Sequence, residues 1–272
     1  MEPFVLKDKE YFHIPSWETV NPHLVVGFTT KNGGVSKEAF SELNLGFHVG
    51  DTTDDVRHNR GLLSTQLGIS LNCWVGAEQT HEIHIEKVSK SMRGKGSSDY
   101  ESTFKRTDGF FTKDTGVLLT LCYADCVPIY FYAPKYKAIG IAHAGWKGSV
   151  DGIAEEMVKV FTEEGIPTMD ILTVIGPSIC EKCYIVDDKV ITKVQNRLEP
   201  VEKKPYNLIS GNQYYLNLQE LNKQILIKSG ILDKNIQITN FCTSCHKETF
   251  FSHRRDKGKT GRMMSFIGWK ED

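Results

Sequence analysis

The chain has 272 residues, with 33 Lys and Arg against 34 Asp and Glu, a pI near 6.8 and 40% hydrophobic content. That balance leaves no basic footprint for sequence-independent nucleic-acid binding, and the abundance of apolar residues excludes general disorder. The length fits one large core or two small ones, because a single core grows to roughly 250–300 residues.

Residues 1–12 mix charges with isolated apolar side chains and lack the basic start and apolar run of a secretory signal, so a cytoplasmic location is expected. Residues 25–30 alternate as a strand, ended by Asn32-Gly33-Gly34. Over residues 54–67, Val56, Leu63 and Leu67 stand at helical spacing behind the capping pair Thr52-Thr53. Residues 83–88 alternate like an exposed strand, and 93–106, rich in Gly, Ser and Lys, read as a mobile surface loop. Residues 117–121 and 127–132 are strand-like, with Asp125-Cys126 between them. Residues 116–133 are the longest apolar stretch, but Cys122, Asp125 and Pro128 interrupt it, so no membrane span is expected.

Further on, residues 138–142 form a short apolar strand ending at His143. Gly145 and Gly148 bracket a tight turn, and 150–161 have the pattern of an amphipathic helix. Residues 171–175 read as a buried strand stopped by Gly176-Pro177, 189–197 and 217–229 as helices, and 236–241 and 249–252 as strands. Strands and helices alternate without a strict βαβ rhythm and without a Pro/Gly/Ser linker. The expectation is an α+β fold, a single domain over residues 1–272 with a mixed β-sheet core flanked by helices.

Several familiar signatures fail on spacing. His81-Glu82-Ile83-His84 lacks the second His of a zinc-protease helix, because position 85 is Ile85. His84-Ile85-Glu86 with Pro177 and Cys180-x-x-Cys183 misses the zinc deaminase pattern, since Ser178 and Ile179 separate the proline from the first cysteine. For seven cysteines, at 73, 122, 126, 180, 183, 242 and 245, a disulfide framework is the poorer expectation, since no secretion signal is read. The pairs Cys180/Cys183 and Cys242/Cys245 hold the right residues for a structural zinc. However, Cys183 and Cys242 are 59 positions apart, against the about 15–20 of compact two-pair sites. Inert buried thiols are the preferred reading of these pairs.

What remains is His81 after a short strand, Cys126 between two strands, and His143 at the end of a third. Two His and one Cys can hold Zn²⁺ and leave a fourth position open, the arrangement of a catalytic zinc. Each is equally readable, on its own, as a satisfied core residue.

The words around them resemble a known family. Ala124-Asp125-Cys126-Val127-Pro128-Ile129, His143-Ala144-Gly145-Trp146-Lys147-Gly148, Gly176-Pro177-Ser178-Ile179 and Gln79-Thr80-His81 match in order, as do Asn44-Leu45-Gly46, Asn59-Arg60 and Phe251-Ser252-His253-Arg254-Arg255. The chain is similar to the YfiH/YlmD family, formerly labelled laccase-domain or multicopper polyphenol oxidase and regarded as purine nucleoside phosphorylases. YlmD-type proteins of Gram-positive bacteria look nearest. The family's usual Tyr before the tandem arginines is His253 here.

The resemblance implies a YfiH or toxin-deamidase-like fold and a zinc on His81, Cys126 and His143. It also implies phosphorolysis of adenosine, inosine and guanosine, cleavage of methylthioadenosine, and adenosine deamination. Purine nucleosides and inorganic phosphate would be the partners, with no nucleic acid and no membrane. Phosphate wants fixed cations and backbone N–H groups, for which Arg60, Lys147, Arg254, Arg255 and the Gly145–Gly148 turn are the candidates. Asp125 is either a proton shuttle beside Cys126 or an anchor for its loop. Asn44 and His48 are candidates for contacting the ribose or an oxygen near the metal.

Three other readings compete. Multicopper oxidases need paired HxH motifs, whereas the nine histidines here include no two at i, i+2, so copper would be an adventitious occupant. A cysteine hydrolase would use Cys126 as nucleophile and His143 as base. A non-enzymatic binding module would need no catalysis from polar residues at turns.

Overall fold

A computed structural model describes residues 1–198 and 203–271. Its N-terminal hairpin, β1 (Val5–Asp8) and β2 (Tyr11–His13), leads through α1 (Pro15–Val20) into β3 (Leu24–Thr29). Helix α2 (Thr53–Leu67) is capped by the Thr52 hydroxyl, which accepts the Asp55 N–H, and ends at left-handed Gly68. Then come β4 (Trp74–Val75), β5 (Ile85–Lys87), β6 (Gly109–Thr112), β7 (Leu118–Tyr123), β8 (Val127–Ala133) and β9 (Ala138–Ala144). Helices α3 (Trp146–Asp151) and α4 (Ile153–Glu163) precede β10 (Leu172–Ile175), β11 (Ile185–Asp187) and α5 (Asp188–Arg197). The chain closes with β12 (Tyr206–Ser210), β13 (Gln213–Leu216), α6 (Leu218–Lys228), β14 (Ile236–Ile238) and β15 (Met263–Trp269).

Two mixed six-stranded sheets stack face to face. One has the order β1-β2-β3-β15-β7-β4, the other β14-β10-β8-β9-β6-β5, and a small β11-β13-β12 sheet joins the helices. Side-chain alternation explains the layering, because successive residues of a strand face opposite sides. In β8, Tyr130 and Tyr132 point into the core between the sheets, where they meet Val26, Leu119 and Ile141. Val127, Ile129 and Phe131 point the other way, onto Met157, Phe161 and Leu221 of the helices. On the outer face of the first sheet, Leu118, Met264 and Phe266 pack against Leu63 and Leu67 of α2. Each such apolar side chain removed from water contributes about 1.5–3 kcal/mol. The result is a helix, sheet, sheet, helix stack, α+β as expected.

The structure corrects several boundaries. The helix expected over 150–161 is broken: Gly145 caps α3, Gly148 lies inside it, and Gly152 at φ 103° separates it from α4. Only Gly tolerates that backbone conformation without strain. Residues 249–252 form no strand, and the strand expected over 236–241 ends at Ile238. The 93–106 segment is irregular, but Ser97, Thr103 and Phe104 in it are buried rather than on a free surface.

Residues 124–126 cross from β7 in the first sheet to β8 in the second. They therefore lie at the edge of the sandwich, beside the end of β9.

Candidate metal centre and active site

His81, Cys126 and His143 converge at this edge, and their ligand atoms all lie within 4.8 Å of one another. The Cys126 Sγ is 3.8 Å from His81 Nε2, and the two imidazole rings stack edge-on at 4.8 Å between centroids. His143 comes from the end of β9 and is buried, Cys126 is half-buried, and His81 is exposed on a turn.

Asp108, fully buried, organises the two histidine positions. It lies just before β6, and that strand pairs with β9 through Gly109 opposite Ala142. Its Oδ1 is 2.8 Å from His143 Nδ1. It also accepts the backbone N–H groups of Thr80, His81 and Glu82 at 2.9–3.1 Å. Those three amides hold His81 at φ 62°, a left-handed conformation that costs a non-glycine residue roughly 1–2 kcal/mol. The Asp108 bond occupies Nδ1 of His143 and so leaves its Nε2, which faces Cys126, as the ring nitrogen a metal would take, the outer-shell arrangement of metal-ligating histidines.

Glycine 145 makes room for the cluster. A Cβ there would stand 2.9 Å from His81 Cδ2 and 3.0 Å from Cys126 Sγ. Soft sulfur and two imidazoles around such a cradle fit a single zinc-type ion with one open position. Electrostatics agree with a ligating thiolate. Burial opposes ionisation of Cys126, yet His143 and His81 beside it bring the thiol down to about 6. Burial likewise opposes charge on His143, but Cys126 and Asp108 raise it to about 9. For Asp108, burial is outweighed by His143 and the backbone N–H donors, which hold its carboxyl below the usual range.

The cluster forms the floor of a cavity of about 450 Å³, a size suited to a small organic ligand. Three cations line it: Lys147, Arg254 and Arg262. Among the described residues none of them is ion-paired with a carboxylate. Arg254 donates to the Ile185 carbonyl and stacks on Tyr184, while Arg262 donates to the carbonyls of Thr260 and Gly261. Trp146 and Tyr184 add aromatic walls. His48 also lines the cavity; desolvation there, then Arg262 and Arg60, push it down to about 4, so it is neutral at neutral pH although much of its ring stays accessible.

Several residues expected at the site are elsewhere. Arg60 is buried beneath the cavity, and its guanidinium is spent on the carbonyls of Leu45, Gly96 and Ser97 at 2.7–3.1 Å. Arg255 is likewise consumed by Asp256 and by the carbonyls of Thr243, Ser244 and Phe250. Asn44 is fully buried and accepts the N–H groups of Gly46 and Arg262. It shapes the Arg262 segment rather than facing the cavity. Asp125 lines the cavity, but its Oδ1 accepts from Thr243 Oγ1 at 2.6 Å and its Oδ2 from the Arg254 N–H at 2.8 Å. That is the geometry of a loop anchor.

Sequence reasoning missed Asp108, Arg262 and Tyr184. The Asp108-Gly109 step at a strand start was the one local signal for the first; nothing adjacent marked the others.

Comparison with known proteins gives one pattern. The chain is 47% identical over 274 residues to "Purine nucleoside phosphorylase YlmD" of Bacillus subtilis (strain 168), covering 99% of this chain and 98% of that protein. The crystal structure of YlmD from Geobacillus stearothermophilus superposes with a TM-score of 0.96 at 43% identity, covering all of both chains. The Neisseria meningitidis protein NMB0706 superposes at 0.78 with 25% identity, covering 99% of this chain and all of that one. Residues 25–270 match a family model described as "Multi-copper polyphenol oxidoreductase laccase". With that match over most of its length, and with these relatives, the chain belongs to the laccase-like YfiH/YlmD family.

Proposed function

We propose that the chain is a zinc-dependent purine nucleoside phosphorylase acting on adenosine, inosine and guanosine. The observation that carries this reading is the placement, in one cavity, of a His-Cys-His cluster beside three cations that have no carboxylate ion-pair partner among the described residues. The relatives' name points to the same reaction.

Phosphorolysis joins a phosphate oxygen to C1′ while the bond from C1′ to the purine breaks. Arg262, Lys147 and Arg254 supply the fixed positive charge that a phosphate dianion needs. Because His48 is neutral, it acts there as a hydrogen-bonding group rather than a fourth cation. Trp146 and Tyr184 offer flat faces for the purine. When bound to His81, Cys126 and His143, zinc would supply Lewis-acid stabilisation of charge developing on the substrate. Gly145 keeps that side of the cavity open, and Asp108 fixes the ring orientations in advance, so little reorganisation is left for the reaction.

Methylthioadenosine cleavage is the same bond exchange and needs no further group. Adenosine deamination needs a proton shuttle, and the engagement of both Asp125 oxygens favours phosphorolysis over it. The copper oxidase reading is disfavoured for a different reason. Among the described residues the His-containing ligand cluster is this one alone, and it has room for one ion rather than mononuclear and trinuclear centres.

The test is release of hypoxanthine from inosine at varied phosphate. A rate that rises with phosphate and saturates is expected, with Arg262→Ala raising the KM for phosphate about tenfold, or about 1.4 kcal/mol. A rate indifferent to phosphate overturns the proposal.

A second reading has one observation in its favour: the depressed Cys126 thiol beside His143 has the form of a nucleophile and its base. Chelator inhibition with recovery on zinc supports the phosphorylase. Full activity of metal-free enzyme, abolished by iodoacetamide, supports the cysteine hydrolase.

A further inference from the structure

Cys180, Cys183, Cys242 and Cys245 come together on the far side of the cavity wall, with all four sulfurs within 4.8 Å of one another. The topology brings them there. β10 and β14 pair in parallel, Ile175 opposite Ile238, so the chain leaves both strands at the same end. Cys180 follows Ile175 by five positions and Cys242 follows Ile238 by four. Ser178 and Cys242 then form a parallel bridge, and the Thr243 N–H donates to the Ser178 carbonyl at 3.0 Å. Separation along the chain therefore says nothing about separation in space, and the spacing argument that favoured inert thiols does not hold here.

The sulfur geometry is that of a ligand set. Cys245 Sγ lies 3.4 Å from Cys183 Sγ and 3.9 Å from Cys180 Sγ. A tetrahedral ion with bonds of about 2.3 Å to sulfur spaces its ligands about 3.8 Å apart, whereas a disulfide requires about 2.05 Å. All four cysteines are unpaired. Each pair is also a tight turn: the Cys183 N–H donates to the Cys180 carbonyl at 3.0 Å, and the Cys245 N–H points at Cys242 Sγ at 3.4 Å. The Cys180 N–H points at the same buried sulfur at 3.2 Å. A neutral thiol is a weak acceptor, whereas two amide donors on one sulfur suit a thiolate held by a cation.

We propose that these four cysteines bind a structural zinc ion, separate from the His81/Cys126/His143 cluster, that staples the two loops forming one wall of the cavity. Four thiolates close the coordination sphere, so this ion has no position for substrate. Its loops nevertheless reach the cavity. Ile179 and Tyr184 flank the first cysteine pair and line the cavity, and Thr243, between the second pair, holds Asp125. Exposed Cys245 gives the ion a way in.

The test is metal stoichiometry of the reduced full-length chain after zinc loading and removal of excess. Wild type is expected to hold about two equivalents and His81→Ala/Cys126→Ala about one. Replacing zinc by cobalt in that variant is expected to give strong thiolate-to-metal charge transfer with the visible bands of a tetrahedral site. Adding Cys183→Ser/Cys245→Ser should abolish both signals. A His81→Ala/Cys126→Ala protein that binds no zinc and shows no cobalt–thiolate absorption overturns the proposal, and this variant keeps all four cysteines, so misfolding of the serine variant cannot decide the matter. A second equivalent that survives Cys183→Ser/Cys245→Ser also overturns it, as does a Cys183–Cys245 disulfide that persists under reducing conditions.

Discussion

The two thiol-bearing clusters lie close to the same cavity and differ in the features that would separate a catalytic metal site from a structural one. The His81/Cys126/His143 cluster stands on two strand ends and a turn, its histidines are held by a fully buried carboxylate, and it opens on one side to the cavity. The four-cysteine cluster stands on loops, is organised by backbone N–H groups, and faces the surface through Cys245. Mixed ligands with an open position suit chemistry, and a complete thiolate shell suits cohesion. What separates the clusters is how many ligands each provides and what supports them, since sulfur is common to both.

The largest expected effect breaks this comparison if it fails. His81→Ala/Cys126→Ala is expected to lower phosphorolysis by about a thousandfold, the loss of about 4 kcal/mol of transition-state stabilisation. Cys183→Ser/Cys245→Ser is expected to leave kcat within about threefold and instead lower the melting temperature by about 5–10 °C. Parallel turnover and thermal-unfolding measurements on the two variants check the contrast. A reversal, with the loop variant inactive and the strand-end variant merely unstable, would exchange the two roles.

Support of the ligands comes next. Asp108→Asn removes the charge that accepts three amides and faces His143 Nδ1. Zinc affinity of the cavity site is expected to fall about 10–100-fold, with about 2–3 kcal/mol lost from stability. Competition with a chromophoric chelator measures the first and denaturant unfolding the second. The four-cysteine site should be untouched, so one tight equivalent remains.

Legibility from sequence divides along similar lines. The three candidate ligands of the cavity cluster could be found because each sits inside a distinctive local word. Asp108 and Arg262 could not, because what brings them to the site is a partner across a sheet or from a remote segment: Asp108 bonds residues 80–82 and 143, and Arg262 is placed by Asn44. Arg60 was the opposite error, an arginine in a matching word whose charge is wholly used by buried carbonyls. In the fold, β15 carries no alternation to read, because Met263–Trp269 is buried on both faces at the centre of its sheet. Such strands look like any short apolar run. The four-cysteine cluster was hidden by the parallel pairing of β10 and β14, a contact between strands more than sixty residues apart in the chain.

A smaller change sharpens the comparison at one atom. Gly145→Ala would place a methyl group 2.9 Å from His81 and 3.0 Å from Cys126. Its φ of −67° suits alanine, so any cost is steric crowding at the ligands rather than backbone strain. Zinc affinity at the cavity site is expected to fall about tenfold while stability changes by about 1 kcal/mol. Equilibrium zinc binding to the Cys183→Ser/Cys245→Ser background, where only this site remains, gives the value directly.

The smallest effect is one of flatness. In metal-free protein His143 and His81 bring the Cys126 thiol down to about 6, while Cys126 and Asp108 raise His143 to about 9, so a thiolate–imidazolium pair is expected between those values. The thiol lies below its ordinary value, so its contribution to stability is present at high pH and is lost as pH falls through about 6. The imidazole lies above its ordinary value, so its contribution is present at low pH and is lost as pH rises through about 9. Metal-free protein is therefore expected to gain most from the pair between these limits. Alkylation of Cys126 by iodoacetamide, followed by peptide mass mapping, should change by less than about 1.2-fold between pH 7 and 8, where an ordinary thiol accelerates about eightfold. Below pH 6 the rate should fall, and zinc loading should suppress it throughout, since protons and metal compete for the same sulfur. A rise of about eightfold from pH 7 to 8 would mean that His143 does not hold the thiolate, and that the His-Cys-His cluster has no electrostatic advantage over the cysteines on the loops.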